Sequence, residues 1–216
     1  ATGGTTTLSF NQDQTRVNDI AGNLIDGDSG GKLGIVLGPN TGIPLVNLSG
    51  QNTYTGNTEA RTAGSKLNLT GGKLTFKIEP SGVSNKIFGP GLVSLNGAFA
   101  IDLAAFSVVD PEPVPAPAIG TKWVLVESPN VTYGTSFSVT GFTQITPGVW
   151  KLTNAIGDWY FTKASGKLAF GVLPDSVWAG GSGGGNWSVG TNWTSLSAPL
   201  TGDLPTFTGS NLINNN

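Results

Sequence analysis

The stretch LVNLSGQNTYTGNTEARTAGSKLNLTGG, from Leu45 to Gly72, carries the pattern that decides the fold. It contains two similar segments, LVNLSG ending at Gly50 and KLNLTG ending at Gly71, and a third copy, LVSLNG, ends at Gly97. In each copy leucine or valine alternates with small or polar residues, which is typical of a half-buried β-strand. Recurrence at this spacing favours a solenoid, in which each coil buries its leucines by stacking on its neighbours.

Short alternating runs of the same kind occur on both sides of this stretch, for example TLSF, KLTFKI and AFAIDL. A second echo is GKLGIVL from Gly31, GKLTFKI from Gly72 and GKLAFGV from Gly166. Few windows between the glycines and prolines suit a helix. We therefore predict an all-β protein in which residues 1–110 form a β-helix or solenoid-like region. A β-sandwich, whose strands also recur with turns between them, is the alternative.

The composition of the chain changes at DPEPVPAP, whose prolines cannot donate to a β-ladder. We interpret residues 111–117 as a linker or exposed loop. Beyond it, KWVLVE, SFSVTGF, GVWKLT, DWYFT and KLAFGV predict an antiparallel β meander over residues 118–173. Residues 174–216 are rich in tryptophan and glycine and are interpreted as the start of a further module.

The composition of the 216-residue chain argues against several classes of function. Charged residues make up 11% and the net charge is −2, so there is no basic footprint for nucleic acid. No apolar run approaches the length of a membrane-spanning helix. The segment DGDSGG resembles the surroundings of a serine-protease nucleophile, but Ser29 has no histidine base anywhere in the chain. We expect no cofactor and no enzymatic activity.

Three aspartates suggest an irregular calcium site. Asp26 and Asp28 begin an Asp-x-Asp pattern, and Asp19 lies close before them in the sequence. Carboxylate oxygens are the ligands that Ca²⁺ prefers. An EF-hand is excluded, because its twelfth position requires a glutamate and here holds Leu37.

Four aromatic residues are candidates for sugar binding, since flat rings beside asparagine and aspartate side chains can pack against sugars. They are Tyr54, Trp178, Trp187 and Trp193. The competing interpretation is that these rings are structural.

The opening stretch resembles the autotransporter-associated β-strand repeat. The matching residues are Leu48, Ser49, Gly50, Asn52, Thr53, Tyr54, Thr55, Gly56, Thr58, Ala63, Gly64 and Leu67. Segments after residue 120, including VWAGGSGGGNWSVGTNWTS, are similar to the region that follows such repeats in large surface proteins of Verrucomicrobia and Planctomycetes.

The resemblance implies a secreted or surface-attached protein with a right-handed β-helix and no catalytic residues. We therefore expect an extracellular structural or adhesive protein that associates with neighbouring copies by strand addition into a fibre or layer. A carbohydrate-binding module that uses the exposed aromatic rings is the alternative, with a polysaccharide as its partner. A polysaccharide-cleaving enzyme is a third reading, because some β-helix proteins act on polysaccharides.

Overall fold

β-Strands dominate the computed structural model, and the two described helices are short 3-10 turns, Asp28–Gly30 and Ala104–Phe106. The prediction of an all-β protein is therefore confirmed. No helix among the described residues has the length and apolar character that crossing a bilayer requires. The structure describes residues 4–12, 16–40, 42–106, 116–174, 177–178, 187–189, 192–193 and 206–207.

The chain divides into two compact units. The first unit comprises residues 1–107 and 124–142, and the second comprises residues 108–123 and 143–216.

Three parallel sheets make up the first unit. Sheet A contains β1 (Thr5–Phe10), β3 (Lys32–Leu37), β6 (Thr58–Ala60), β9 (Ile87–Phe88) and β13 (Val126–Glu127). Sheet B contains β2 (Val17–Ile20), β4 (Leu45–Leu48), β7 (Lys66–Leu69), β10 (Leu92–Leu95) and β14 (Val131–Tyr133). Sheet C contains β5 (Gln51–Asn52), β8 (Lys73–Lys77), β11 (Ala98–Asp102) and β15 (Ser138–Val139). Strands stand in chain order within each sheet, and the chain visits sheets A, B and C in turn from β3 to β11 and again from β13 to β15.

The three leucine-rich copies lie side by side in sheet B as β4, β7 and β10. Leu45 pairs with Lys66, and Lys66 pairs with Leu92, so the copies align residue for residue. The three copies are therefore adjacent parallel strands paired in register. Full burial of one leucine or valine contributes about 1.5–3 kcal/mol, so these columns are a main source of stability. The inward residues, each at most 2% exposed, are Val46, Leu67 and Val93 in one column and Leu48, Leu69 and Leu95 in the next.

The units divide the chain differently from the boundaries that we predicted. Strands β13 to β15 fall inside the predicted meander of residues 118–173, yet they extend the three parallel sheets of the first unit. Val126 pairs with Ile87, and β14 and β15 pair likewise with β10 and β11. Alternating runs identify strands but not their partners, which here precede the proline-rich segment. Residues 111–115 of the predicted linker lie outside the described residues.

An antiparallel sheet forms the described core of the second unit. Four consecutive strands pair as a meander, as predicted for this part of the chain. The rings of Trp123 and Trp159 lie 5.6 Å apart and are fully buried. The strands, in spatial order, are β12 (Lys122–Val124), β19 (Lys167–Phe170), β18 (Asp158–Thr162), β17 (Val149–Thr153) and β16 (Thr143–Thr146).

The second repeated motif, Gly-Lys-Leu, does not occupy structurally equivalent positions in the fold. Its copies lie in β3 of sheet A, β8 of sheet C and β19 of the antiparallel sheet. Each copy is simply a glycine that directly precedes a β-strand. In the predicted module 174–216, β20 (Val177–Trp178) pairs in parallel with β21 (Thr206–Phe207), and most other residues lie outside the described part.

Candidate functional site

The repeat-like segment forms a corner between sheets B and C, and a column of glycines makes this corner possible. A Cβ on Gly50 would lie 2.2 Å from the carbonyl oxygen of Gly22. A Cβ on Gly72 would lie 2.6 Å from the oxygen of Gly50, and one on Gly97 would lie 2.3 Å from that of Gly72. Only glycine permits such close approach of two backbones. In the sequence, the second copy of the repeat ends at Gly71, but the glycine in this column is Gly72. Gly71 adopts a φ of +81°, and a Cβ added there would meet no atom within 4 Å.

The Asn52 side chain is buried at this corner and joins three stretches of backbone. Its Nδ2 donates to the carbonyl oxygens of Gly50 (3.0 Å) and Lys73 (3.2 Å), and its Oδ1 accepts from the amide of Leu24 (3.1 Å). Residues 24, 52 and 73 belong to three successive passes of the chain. Asn52 therefore ties its pass to the preceding one at Leu24, which lies outside the strands, and reinforces the β5–β8 ladder on the other side.

Tyr54 has no exposed surface, so its ring is not available to a sugar. The Tyr54 Oη and the Thr58 Oγ1 are hydrogen bonded at 2.5 Å. Burial raises the pKa of Tyr54, and the hydrogen bond to Thr58 offsets part of that rise. This placement corrects the expectation that Tyr54 binds a ligand, because the residue fills the core behind the corner.

Asp26 is held by protein donors. Its Oδ1 accepts from the amides of Leu33 and Thr55, each at 2.9 Å, and its Oδ2 accepts from the Thr55 hydroxyl at 2.5 Å. Partial burial acts to raise the pKa of Asp26, but these hydrogen bonds and the charge of Lys32 outweigh it, so the pKa is lowered. Asp26 thus clamps the repeat-like segment to the preceding pass of the chain.

The other two aspartates do not complete a calcium site with Asp26. Asp19 is exposed and accepts a 2.6 Å hydrogen bond from the Asn47 Nδ2, while Asp28 is exposed at the start of a 3-10 turn. Within the described residues, no group of three or more histidine, cysteine, aspartate or glutamate side chains is arranged to hold a metal ion. The spacing in the sequence is that of a turn, which explains why it resembled a calcium loop.

The three candidate tryptophans differ in exposure. Trp178 and Trp193 are buried and pack edge to face, with centroids 5.0 Å apart. The Trp193 Nε1 donates to the carbonyl oxygen of Trp187 at 2.7 Å. Of the four predicted sugar-binding residues, Trp187 alone is exposed, at 46%.

A cleft of about 400 Å³ lies on the outer face of sheet A, where no site was predicted. It crosses β1, β3, β6 and β9 and is bounded by the segment between β8 and β9. The lining mixes charged, hydroxyl and apolar groups. Principal lining residues are Thr7, Lys32, Glu59, Arg61, Lys77 and Phe88.

The segment between β8 and β9 forms a braced wall of this cleft. Ile78 and Ser84 form an isolated antiparallel bridge. The Asn85 side chain closes the base of the segment, because its Oδ1 accepts from the Lys77 amide at 2.7 Å and its Nδ2 donates to the Thr75 carbonyl oxygen at 3.0 Å. The wall is therefore fixed without a ligand.

The charges of the cleft are only partly paired. Glu59 and Arg61 form a bidentate ion pair, with distances of 2.8 Å from Nε and 2.7 Å from Nη2, which raises the pKa of Arg61. Lys32 and Lys77 form no ion pair within the described part of the chain. The cleft therefore offers ammonium groups to a ligand.

Sequence reasoning missed this cleft because its residues come together only through the register of parallel strands. Val36 pairs with Glu59, and Glu59 pairs with Phe88, so these outward positions form one row across sheet A. One local signal of the cleft is present in the sequence. The alternation of apolar and polar residues in β8 stops at Lys77, and the segment up to Asn85 is long enough to form a wall.

A scan against protein-family models found no match, and searches of curated proteins and of solved structures found none either. The likeness to the autotransporter-associated repeat therefore depends on the residues quoted above.

Proposed function

We propose that this chain is a non-enzymatic structural module of an extracellular surface protein, and that its first unit is a β-helix. The proposal is based on one observation: the residues of the repeat-like segment hold neighbouring passes of the chain together. Gly50 permits backbone contact between passes, Asn52 bonds to two neighbouring passes, and Tyr54 fills the core. These residues are engaged in contacts within the protein and are not available to a ligand, which is expected of a structural module.

The surroundings of the acidic residues support the non-enzymatic reading. Both Asp26 oxygens accept hydrogen bonds from the backbone or a hydroxyl, and Glu59 is held by Arg61. A general acid or base needs access to the proton that it transfers. The chain also contains no histidine or cysteine.

Association by strand addition is supported by the edge of sheet A. Strand β1 is the outermost strand, and the oxygens of Gly4 and Phe10 accept from Lys32 and Gly38 on the β3 side. In a parallel ladder, the backbone N–H and C=O groups of successive residues point alternately to one neighbouring strand and away from it. Because Gly4 and Phe10 point to β3, the residues at odd-numbered positions between them direct their backbone groups away from β3. Those residues are Thr5, Thr7 and Ser9. An open edge of this kind is a template for another chain.

The occupant that we propose for this edge is β13 of a second copy, the outermost strand at the other end of sheet A. Parallel addition of β13 to β1 continues the sheet in the same direction. Such a head-to-tail contact generates a filament rather than a closed dimer.

The substitution Thr7→Pro is expected to weaken association at least tenfold, because it removes an outward-facing amide and leaves the β1–β3 ladder intact. Sedimentation velocity over a dilution series, with electron microscopy of the same samples, measures the change. Thr6→Pro is the matched control, since its amide faces β3 and its loss should lower stability instead. A wild-type protein that stays monomeric at high concentration would contradict the assembly proposal.

Carbohydrate binding is the second candidate function. The observation that favours it is the exposed ring of Trp187, whose backbone is held in place by Trp193. The other three predicted aromatic residues are buried and give it no support.

A further inference from the structure

We propose that the cleft on the outer face of sheet A binds a short acidic oligosaccharide, one that carries carboxylates on its sugar rings. This inference is independent of the structural function proposed above and of the exposed Trp187. It depends on the size of the cleft, the chemistry of its lining, the balance of its charges and its rigidity.

The size of the cleft suits a chain of several sugars. Its volume of about 400 Å³ lies within the range of small-ligand sites. It crosses four parallel strands, and strands about 4.8 Å apart give it a length of roughly 14 Å. An elongated ligand that lies across the strands fills this shape better than a compact one.

The lining offers the two kinds of contact that a sugar requires. Thr7 and Asn57 supply hydroxyl and amide groups for hydrogen bonds, while Val36 and Phe88 supply apolar surface for a ring face. Because Phe88 lies one strand away from Glu59 in the same row, apolar and polar contacts alternate along the cleft. A hydrophobic ligand would leave the polar groups without partners.

The charges favour an acidic sugar over a neutral one. The lining holds three cationic side chains, Lys32, Arg61 and Lys77, and two carboxylates, Glu79 and the Arg61-bound Glu59. Lys32 and Lys77 form no ion pair within the described residues, and although Lys32 also acts on the Asp26 carboxylate, both ammonium groups can bind ligand carboxylates.

The wall is already in position before a ligand arrives. The Asn85 hydrogen bonds and the bridge between Ile78 and Ser84 hold it, and the Ser84 hydroxyl also donates to the Val124 carbonyl oxygen at 2.9 Å. Binding to a fixed cleft avoids the entropic cost of ordering a loop.

Isothermal titration of the full chain with trigalacturonate tests the proposal, with neutral galactotriose as the comparison ligand. We expect binding of the acidic trisaccharide that weakens as salt is added, and at least tenfold weaker binding of the neutral one. The double variant Lys32→Gln/Lys77→Gln should weaken binding of trigalacturonate at least tenfold. Thermal unfolding of each variant confirms that it folds.

Two further variants locate the site. Lys66→Gln changes a strand lysine in sheet B that does not line the cleft, and Trp187→Ala removes the exposed ring; both should leave the affinity unchanged. Absence of binding at millimolar trigalacturonate, or equal binding of galactotriose, would overturn the ligand class. Unchanged affinity in the lysine double variant, or loss of binding in Trp187→Ala, would overturn the location.

Discussion

Replacing Gly50 with alanine is expected to lower the free energy of unfolding of the first unit by about 3 kcal/mol or more. The new Cβ would lie 2.2 Å from the carbonyl oxygen and 2.7 Å from the carbonyl carbon of Gly22. Both obstacles are backbone atoms, so no side-chain rotation relieves the overlap. The two passes of the chain must separate, and the hydrogen bonds and core contacts between them weaken together.

Gly22→Ala is the matched control for this substitution. It introduces the same methyl group at the opposite partner of the contact, where nothing lies within 4 Å of the added Cβ. Alanine also restricts the unfolded chain, which stabilises by about 0.4–1 kcal/mol where the native conformation tolerates it. We therefore expect Gly22→Ala to be neutral or slightly stabilising.

Urea unfolding should be followed by far-UV circular dichroism and by hydrogen exchange in peptides spanning residues 45–72. All six tryptophans belong to the second unit, so their fluorescence reports on that unit separately. Equal stabilities of Gly50→Ala and Gly22→Ala would contradict the backbone contact.

The second large effect is expected at Asn52, where substitution with alanine should cost roughly 2–3 kcal/mol. The change removes the side-chain acceptor of the Leu24 amide and one donor from each of the carbonyl oxygens of Gly50 and Lys73, although the Gly50 oxygen still accepts from the Lys73 amide at 3.0 Å. Each buried group left unsatisfied costs about 1–3 kcal/mol. Free energies of unfolding from urea titrations measure the loss.

Asn68→Ala is the control for this substitution. Asn68 lies half-buried on the outer side of sheet B, where its Nδ2 donates to the Asn47 Oδ1 at 2.8 Å. Water can replace that partner, so we expect a cost below about 1 kcal/mol. If the two alanine variants lost the same stability, Asn52 would not be the buried link between passes.

The variant Asn52→Asp tests the same site through the dependence of stability on pH. The new carboxylate would be buried and would face two carbonyl oxygens, which raises its folded-state pKa above the unfolded value of about 3.9. A raised carboxyl pKa destabilises the protein above the unfolded pKa, and the penalty shrinks as pH falls. The variant should therefore regain part of its stability relative to the parent protein on acidification.

The sequence contained enough information to identify the strands and the stacking of three of them. Leu48, Leu69 and Leu95 occupy the same position in successive copies, and a shared position in a repeat predicts a shared column in the core. Gly50 and Gly97 were also marked by the repeat. The middle glycine of the column was placed one residue early, at Gly71, because two adjacent glycines follow β7 and only their backbone conformations distinguish them.

Partner choice and burial were beyond the reach of a single sequence. Val126 lies in a run that predicts a strand of the antiparallel meander, yet it pairs in parallel with Ile87, which precedes the proline-rich segment. Tyr54 looks like an exposed aromatic residue among polar neighbours, but the polar neighbours are themselves turned inward; Asn52 and Thr58 are both buried. In a corner built from side chains that bond to backbone, polarity does not indicate exposure.

The cleft was missed for the same reason. Glu59 and Phe88 become neighbours only because β6 and β9 pair in register, although β7 and β8 lie between them in the sequence. No local pattern encodes that register. Of the aspartates and tryptophans chosen from local patterns, Asp26, Trp178 and Trp193 are held in structural contacts, whereas Asp19, Asp28 and Trp187 are exposed.

Formation of a disulfide between Asn47→Cys and Asn68→Cys tests most directly the claim that successive copies stack in register. These residues pair across β4 and β7, their side chains lie 2.8 Å apart, and the native chain contains no cysteine. Adjacent strands about 4.8 Å apart fit disulfide geometry. Strands two apart, as in Asn47→Cys with Ser94→Cys, are roughly 9.6 Å apart and do not fit. We predict that only the first pair rapidly forms an intramolecular disulfide under mild oxidation, as measured by mass spectrometry. Failure of the first pair to form a disulfide, or equal disulfide formation by both pairs, would contradict the account.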